Sequence, residues 1–188
     1  MNNKKILIFF ALLLILIILA VVWFAEKGQI SYNINMQIQS LAFKNSGEIP
    51  SLYTCDGNKI NPPLSFSEVP HKVKSLALLM YDPDIPESAK TNMNIKVWDH
   101  WVVFNIPPET RTIEENTAPI GIGGRNTNGN NVYTPTCPPY GVHRYIFDLY
   151  ALDTMLSLPA GVSRQDVLDA MAGHILDEAE LIGIYQRK

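Results

Sequence analysis

The chain has 188 residues, of which 47% are hydrophobic, and its 15 basic and 18 acidic side chains give a formal net charge of −3. This length and this hydrophobic content are sufficient for one domain with a buried core, and no internal repeat indicates a second. The sequence shows neither a cluster of basic residues nor exposed aromatic residues interleaved with one, so the electrostatic attraction on which nucleic-acid binding depends is missing. We therefore expect no nucleic-acid partner, whereas a small anionic ligand is compatible with the composition.

The N-terminal segment has a composition of its own. Residues 6–25 form a run of 20 residues without a charge, and Lys4 and Lys5 precede it. A helix of about 20 residues spans the roughly 30 Å hydrocarbon core of a bilayer, whereas the apolar part of a cleavable signal usually has about 7–15 residues. The pattern predicts one transmembrane helix within residues 1–27, which form a membrane anchor or signal segment ahead of a domain over residues 28–188.

The two lysines also predict where that domain lies. Basic residues beside a membrane span favour the cytoplasmic side. We therefore expect a single-pass protein of the inner membrane, held by its N-terminal helix, with the domain on the periplasmic or extracytoplasmic side. The alternative is secretion after cleavage of the segment as a signal.

The first part of the domain combines a strand pattern with loops. Residues 30–39 alternate between apolar and polar side chains, which predicts an amphipathic strand. Residues 44–74 are rich in proline, asparagine, glycine and serine and indicate loops around one or two short strands. Asp56 or Asn61 could line a site there, although a plain turn explains Asp56 equally well.

Two apolar runs predict strands that are buried on both faces. Residues 75–80 lead into Asp82 and Asp84, while residues 102–106 follow His100. Short continuous apolar runs are typical of strands covered on both sides. The three polar side chains are therefore expected at the edges of a core rather than on a distant surface.

Two further segments are predicted to be loops. Residues 87–94 are polar and indicate a solvated connection, or alternatively a lid over a site. Residues 121–131 are rich in glycine and asparagine but lack the lysine and the serine or threonine that end a P-loop. They therefore indicate a flexible surface loop.

Residues 136–142 form a rigid loop that runs into a strand. Two consecutive prolines fix their φ angles, and Gly141 permits a backbone geometry closed to other residues. The alternation over residues 145–151 predicts a strand. His143 is therefore expected at the mouth of a strand, where a rigid scaffold supports side chains that bind ligands; the alternative is a capped strand end.

The C-terminal part is predicted to contain one helix and one short strand. Ser163 suits the N-cap of the helix. Apolar residues recur every four positions from Val167 to Ala179, which predicts one apolar face and places His174 on the helix but off that face. Residues 181–185 predict the strand.

Six short motifs, spread over nearly everything after about Phe43, resemble one known family. In chain order they are Tyr53-Thr54-Cys55-Asp56-Gly57, Asn61-Pro62-Pro63-Leu64-Ser65-Phe66, Asp82-Pro83-Asp84-Ile85-Pro86, Trp98-Asp99-His100-Trp101, Cys137-Pro138-Pro139-Tyr140-Gly141-Val142-His143-Arg144-Tyr145 and Gly173-His174-Ile175-Leu176. They resemble the phosphatidylethanolamine-binding protein family, also called Raf kinase inhibitor-like proteins, and in particular its bacterial branch. Each motif alone is weak, but their common order makes the match specific.

The resemblance implies a fold and a site. The fold is mainly β, an antiparallel β-sandwich with Greek-key connections and peripheral helices, here preceded by the predicted transmembrane helix. The site is a small crevice that binds phosphate-like anions and phospholipid head groups. The candidate ligand-binding residues, of which the tryptophan and the two prolines shape the wall, are Asp82, Asp84, Trp98, His100, Pro138, Pro139, His143 and Tyr145.

The chemistry of these residues favours binding over catalysis. No serine lies in a Gly-x-Ser-x-Gly elbow, and Cys137 lacks a recognisable activating arrangement. The His-Glu-x-x-His motif is absent, so a metal site would rest on composition alone. We therefore expect a non-enzymatic binding module without catalytic residues, metal or cofactor.

Two alternatives from other functional classes stay open. Relatives are credited with kinase or protease regulation, so the chain could inhibit a partner enzyme of that kind through the crevice or nearby loops. The two histidines and two aspartates of the candidate site could instead support a metal-assisted hydrolase.

Two expectations concern the cysteines and the histidines. Cys55 and Cys137 are the only cysteines, both lie in family-like loops near the proposed crevice, and we predict that they form a disulfide. His100 and His143 are expected to bind phosphate-containing molecules more strongly as the pH falls through about 6.5, where imidazoles gain a charge.

Overall fold

The computed structural model describes residues 14–18 and 35–187, and the fold below is that of the compact unit that begins at Asn35. Its strands are β1 (Gln37–Gln39), β2 (Gly47–Glu48), β3 (Leu64–Ser67), β4 (Ser75–Asp82), β5 (Trp98–Ile106), β6 (Thr112–Ile113), β7 (Ile122–Gly123), β8 (His143–Leu152) and β9 (Ile175–Tyr185). Its helices are a 3₁₀ turn (Ser51–Tyr53), α1 (Glu87–Met93) and α2 (Arg164–Met171). The unit is therefore mainly β.

The strands form two sheets. β1, β3 and β6 make a small antiparallel sheet, and the other six strands make a large sheet in the order β2-β9-β8-β4-β5-β7. In the large sheet β2 runs parallel to β9, while the other neighbours are antiparallel. Of the strand predicted over residues 30–39, residues 30–34 lie outside the described residues, and β1 forms within the rest.

Strand β4 is buried on both faces, as its continuous apolar sequence predicted. Its even-numbered residues from Leu76 to Met80 belong to a core shared with the small sheet. Ala77 and Leu79 belong to a second core, to which α2 contributes Val167. Because successive side chains of a strand point to opposite faces, the large sheet separates these two cores.

The predicted antiparallel β-sandwich is wrong in two respects. The large sheet is mixed, because β2 is parallel to β9, and the two sheets do not form a closed sandwich. The strands of the small sheet have only three, four and two residues, so this sheet covers part of one face of the large sheet. The opposite face is also apolar and needs its own cover, which α2 supplies in place of a second layer of strands.

Helix α2 begins where predicted but ends earlier. The Ser163 hydroxyl accepts a hydrogen bond from the Asp166 backbone N–H at 3.2 Å, and the Asp166 carboxylate accepts one from the Ser163 N–H at 2.8 Å, which is a capping box. The helix ends at Met171, and Gly173 follows with a φ of +82°, a left-handed conformation that suits glycine after a helix. The prediction of a helix through Ala179 is therefore wrong.

The long strand β9 replaces the end of that predicted helix and includes the short strand expected at the C-terminus. It pairs antiparallel with β8 along nearly its whole length, and its buried residues alternate toward the core, as Leu181 and Tyr185 do. Ile175 and Leu176 are partly exposed instead of packed under a helix. His174 lies in the turn between α2 and β9.

The predicted transmembrane helix is wrong for the described residues. Among residues 14–18 and 35–187, no helix has the length and apolar character needed to cross a membrane. Residues 14–18 are helical. Residues 6–13 and 19–25 of the predicted span lie outside the described residues. The predicted location, in the inner membrane with the domain on the periplasmic side, depended on that helix and is wrong for the same reason.

Candidate functional site

One end of the large sheet holds a crevice of about 370 Å³. In the register of the strands, Asp82 at the end of β4 lies opposite Trp98 at the start of β5. Strand β8 is antiparallel to β4 and begins at His143, so its first residues reach the same end of the sheet. Three segments that are far apart in the sequence therefore bring their polar residues to one place.

Six of the eight predicted ligand-binding residues line this crevice. They are Asp82, Trp98, His100, Pro139, His143 and Tyr145. The other two do not line it: Asp84 is engaged by Arg144, and Pro138 is buried in the adjoining loop. The lining residues that were not predicted are Ile85, Pro86, Ala89, Asn128, Thr134, Pro135 and Cys137.

His143 and Asp82 form a buried pair in the crevice. Nδ1 of His143 lies 2.7 Å from Oδ2 of Asp82, and the two residues are 4% and 3% exposed. Oδ1 of Asp82 accepts a second hydrogen bond, from the backbone N–H of Asp84 at 2.7 Å. Burial raises the pKa of Asp82, and the donors from His143 and Asp84 oppose that rise. Because Nδ1 of His143 is engaged, Nε2 is the ring nitrogen left for a ligand.

Asp84 holds this pair in position. Its carboxylate accepts hydrogen bonds from Arg144 Nε at 2.8 Å and Nη2 at 2.7 Å, and from the Arg144 backbone N–H at 2.9 Å. The hydrogen bonds from Arg144 lower the pKa of Asp84 below its ordinary value. The backbone N–H of Asp84 donates to Asp82, while its carboxylate is engaged by Arg144. We therefore interpret Asp84 as a positioning residue rather than a ligand contact.

His100 is the second imidazole of the crevice. It is 4% exposed, and its Nδ1 lies 2.9 Å from the backbone carbonyl oxygen of Thr134. Burial lowers the pKa of His100 to about 4; the Thr134 carbonyl opposes this shift and the charge of His143 adds to it. The predicted gain of charge near pH 6.5 is therefore wrong for His100, which stays neutral there.

Tyr145 contributes a buried phenol. Its ring packs edge-on against that of His100, with the ring centroids 5.2 Å apart. Burial raises the pKa of Tyr145 far above its ordinary value, and the nearby backbone of Cys137 opposes only part of this rise. The hydroxyl therefore keeps its proton. Within the described residues this hydroxyl has no hydrogen-bond partner of good geometry. A buried hydroxyl without a partner costs free energy, which an oxygen atom of a ligand would offset.

A disulfide supports the proline-rich wall of the crevice. The predicted bond between Cys55 and Cys137 is present and joins positions 82 residues apart. Beside it Thr54 and Thr136 form a bridge, and the Cys55 backbone N–H donates to the Thr136 carbonyl at 3.0 Å. Cys137 and Pro139 therefore line the crevice from a loop that is tied to another part of the chain.

Helix α1 forms a wall that the sequence interpretation missed. Residues 87–94 were predicted to be a solvated loop or a lid, but Glu87–Met93 is helical, and Pro86 and Ala89 line the crevice. Asn94 ends the helix in the left-handed conformation. A proline directly ahead of a segment with an acid in its first turn is typical of a helix start, and this signal could have identified α1.

Asn128 reaches the crevice from the glycine-rich residues 121–131. This segment was predicted to be a flexible surface loop, but Asn126 within it is buried. Nδ2 of Asn126 donates to the carbonyl of Val132 and to the hydroxyl of Thr134, both at 2.8 Å. No local signal distinguishes Asn128 from the neighbouring asparagines, so the sequence alone did not identify it.

Asp56 and Asn61, the other polar candidates, lie outside the lining of the crevice. Asp56 accepts a hydrogen bond from the Tyr185 hydroxyl at 2.7 Å. The buried side chain of Asn61 donates to the carbonyl of Glu114 at 2.9 Å and accepts from the Thr117 N–H at 3.0 Å. These contacts give both residues structural roles.

Within the described residues, the crevice offers hydrogen-bonding groups rather than a nucleophile or a cluster of metal ligands. Cys137 is bonded to Cys55 and is therefore not a free thiol. Across residues 14–18 and 35–187, no three histidine, cysteine, aspartate or glutamate side chains are grouped so as to hold a metal ion. The arrangement is suited to recognition of a polar ligand by imidazole, phenol and carboxylate groups.

Acidification is expected to destabilise the fold through His100. In the unfolded chain its imidazole binds a proton below about pH 6.5, whereas in the folded protein it does so only below about 4. Between these values the unfolded state binds more protons, so the free energy of unfolding falls as the pH drops from about 6.5 to about 4. His100→Phe should lose this part of the pH dependence, which urea unfolding at several pH values would measure.

The control for this prediction is His174→Phe. His174→Phe removes an exposed imidazole and leaves His100 in place, so the part of the pH dependence that His100 contributes should persist in this variant. A wild-type pH dependence that persists in His100→Phe would contradict the assignment to His100.

Comparisons with known proteins cover the whole of this site. The family model described as "Phosphatidylethanolamine-binding protein" matches residues 39–186. A UPF0098 protein of Methanothermobacter thermautotrophicus is 51% identical over 158 residues, which cover 81% of this chain and 99% of that protein. The solved structure of the phosphatidylethanolamine-binding protein homolog CT736 of Chlamydia trachomatis matches with a TM-score of 0.77 at 43% identity. The solved structure of E. coli YbcL matches with a TM-score of 0.72 at 28% identity. Each of these two matches covers 82% of this chain and 99% of the other chain. Every residue that lines the crevice lies within the range that the family model matches.

Proposed function

We propose that this chain, which belongs to the phosphatidylethanolamine-binding protein family, is a non-enzymatic binding module whose crevice takes phosphate-bearing small molecules or phospholipid head groups. The observation that supports this best is the convergence of His100, His143 and Tyr145, all almost completely buried, on one crevice of about 370 Å³. Such a volume is within the range of small-ligand pockets. Buried polar groups are normally hydrogen-bonded, so polar atoms that lack a protein partner here indicate a polar ligand.

The groups of the crevice suit a phosphate. His143 presents Nε2, and an imidazolium at this position would donate a charge-assisted hydrogen bond to a phosphate oxygen while the Asp82 carboxylate balances its charge. The Tyr145 hydroxyl is a second donor. Because β4 and β8 hold these side chains in place, ordering them on binding costs little entropy.

A zwitterionic head group such as phosphoethanolamine also carries an ammonium group, for which the crevice has partners. Trp98 lines the crevice and lies opposite Asp82 in the strand register. An indole face attracts cations, and a carboxylate beside it adds to the attraction. Phosphoethanolamine is therefore the appropriate first probe, and vesicles containing phosphatidylethanolamine distinguish a lipid head group from a free phosphorylated molecule.

The purified protein is expected to bind phosphoethanolamine in a calorimetric titration, and His143→Ala is expected to weaken this binding roughly ten- to a hundredfold. The loss of one hydrogen bond to a charged group costs on the order of 1.5–3 kcal/mol, which corresponds to that change in affinity. The matched control is His174→Ala, because Nδ1 of His174 also contacts a carboxylate, that of Asp153 at 2.8 Å, but its side chain is 47% exposed outside the crevice.

Equal affinities for the wild type and both variants would place the site elsewhere. If none of the three proteins bound phosphoethanolamine, the proposal would be wrong, and regulation of a partner kinase or protease would be the next hypothesis. Pull-downs with and without competing phosphate would then test that hypothesis.

A further inference from the structure

We propose that the crevice selects a phosphate group that carries one proton, the monoester monoanion RO–PO3H⁻, over the fully ionised dianion and over anions that have no proton. This inference rests on the proposed function, since it assumes that the phosphate group of a ligand lies against His100 and His143. It specifies the protonation state of the ligand that the hydrogen-bonding groups fit. The hydrogen bond made by His100 is its main support.

The contact between His100 and Thr134 determines which ring nitrogen of His100 carries the proton. Nδ1 lies 2.9 Å from the Thr134 carbonyl oxygen, and since a carbonyl oxygen only accepts hydrogen bonds, Nδ1 is the donor. In a neutral imidazole, Nε2 then carries a lone pair and acts as an acceptor. No residue of the described chain donates a hydrogen bond to this Nε2. His100 lines the crevice, so the acceptor is available to a ligand.

The surroundings of His100 keep its ring neutral. Its burial disfavours the charged form and lowers its pKa to about 4. The titratable groups that line the crevice with it are Asp82 on β4 and His143 and Tyr145 on β8, and Asp99 is its neighbour along β5. The two aspartates are engaged, Asp82 by His143 at 2.7 Å and Asp99 by Arg164 at 2.6 Å. A charge on His143 disfavours a second charge on His100.

The crevice therefore combines one acceptor with two donors. Nε2 of His100 accepts, the Tyr145 hydroxyl donates, and Nε2 of His143 donates when it is protonated. The ring centroids of His100 and Tyr145 lie 5.2 Å apart, so Nε2 of His100 and the Tyr145 hydroxyl are close enough to hydrogen-bond to one phosphate group. A monoester monoanion matches the set, because its P–OH donates to His100 while its other oxygens accept. In the dianion, a charged oxygen would instead face the lone pair of His100, which is repulsive.

Two ligands of equal charge and nearly equal shape test this selectivity. At about pH 5.5 phosphoethanolamine is mainly RO–PO3H⁻, because its second pKa lies near about 6, while 2-aminoethyl sulfate is RO–SO3⁻ and has no proton to donate. We expect the full-length protein to bind phosphoethanolamine roughly ten- to a hundredfold more tightly in calorimetric titrations, the effect of one hydrogen bond to a charged group. At about pH 7.5, where the dianion predominates, this ratio should shrink.

The ratio of the two affinities distinguishes the effect of the ligand's proton from the effect of a proton on His143, because a charge on His143 would strengthen the binding of both ligands alike. Equal affinities at the lower pH, or a ratio that does not change with pH, would overturn the inference and leave the proposed function standing. Binding of neither ligand would overturn both.

A variant of His100 adds an independent test. His100→Phe keeps an aromatic ring against Tyr145 but removes the acceptor, so it is expected to bring the ratio of the two affinities close to one. His174→Phe, the control outside the crevice, should keep the wild-type ratio. A full wild-type ratio in His100→Phe would show that another group selects the proton and would overturn the inference.

Discussion

Removal of the disulfide, by Cys55→Ala together with Cys137→Ala, is expected to lower the free energy of unfolding by about 4.5 kcal/mol. The bond joins positions 82 residues apart, and the entropy that the unfolded chain regains without it grows with the logarithm of that loop length. The folded state should change little, because the bridge between Thr54 and Thr136 remains. Urea unfolding of the double variant and the wild type measures the difference.

The reduced wild type provides the internal comparison. Unfolded in the presence of a thiol reductant, it should match the double variant, whereas the reductant should leave the double variant unchanged. Because Cys137 lines the crevice, the affinity of the variant for phosphoethanolamine also reports whether the wall keeps its shape. Equal stabilities of the oxidised and reduced wild type would contradict the structural role of the bond.

Asp82→Ala is expected to cost about 3–5 kcal/mol of stability, the usual effect of removing one member of a buried pair. Nδ1 of His143 would lose its acceptor inside the protein, and the backbone N–H of Asp84 would lose its acceptor as well. Each buried donor left without a partner costs about 1–3 kcal/mol. Asp82→Asn keeps an oxygen acceptor in place and should cost less. Urea unfolding of the two variants would measure both effects.

The exposed pair of His174 and Asp153 provides the matched control. It has a contact of the same kind, from Nδ1 to a carboxylate oxygen at 2.8 Å, but its side chains are 47% and 48% exposed. Exposed pairs of this kind contribute about 0–1 kcal/mol, so Asp153→Ala should lower the free energy of unfolding by no more than about 1 kcal/mol. Losses of similar size in Asp82→Ala and Asp153→Ala would contradict the importance of burial for the crevice pair.

The strands that carry the site could be predicted from local patterns. A strand covered on both faces must be apolar throughout, as β4 is, and a partly covered strand alternates, as β8 does. The order of the strands could not be predicted in this way. The parallel pairing of β2 with β9 depends on two residues, Gly47 and Glu48, opposite Gly183 and Ile184, and such a short contact has no periodic signal.

The helix prediction failed where two periods coincide. From Met171 to Ala179 apolar residues recur at every fourth position, which fits one face of a helix. Residues an even number of positions apart also lie on the same face of a strand, so the same pattern fits a strand as well. Gly173 decides between the two, because its left-handed conformation ends α2 and the chain then pairs with β8. In the sequence, the available signal for this boundary was Gly173 itself, because glycine often follows the last residue of a helix.

The site was easier to predict on strands than on loops. Asp82, His100 and His143 lie beside recognisable apolar runs, and the structure brings them to one end of the sheet. The contributions of α1 and Asn128 depend on how connecting segments pack, which local sequence does not specify. The tautomer of His100 was also out of reach, because it depends on the carbonyl of Thr134, 34 positions away.

The central claim, that the crevice binds a phosphate-bearing ligand through His100 and His143, is tested most directly by NMR of the protein labelled selectively with ¹⁵N-histidine. The chain has four histidines, so the ring nitrogens give four sets of signals. We predict that phosphoethanolamine shifts the signals of His100 and His143 and leaves those of His71 and His174 in place. Movement of the His71 or His174 signals while the crevice histidines stay unchanged would contradict the claim, as would a spectrum that does not respond at all.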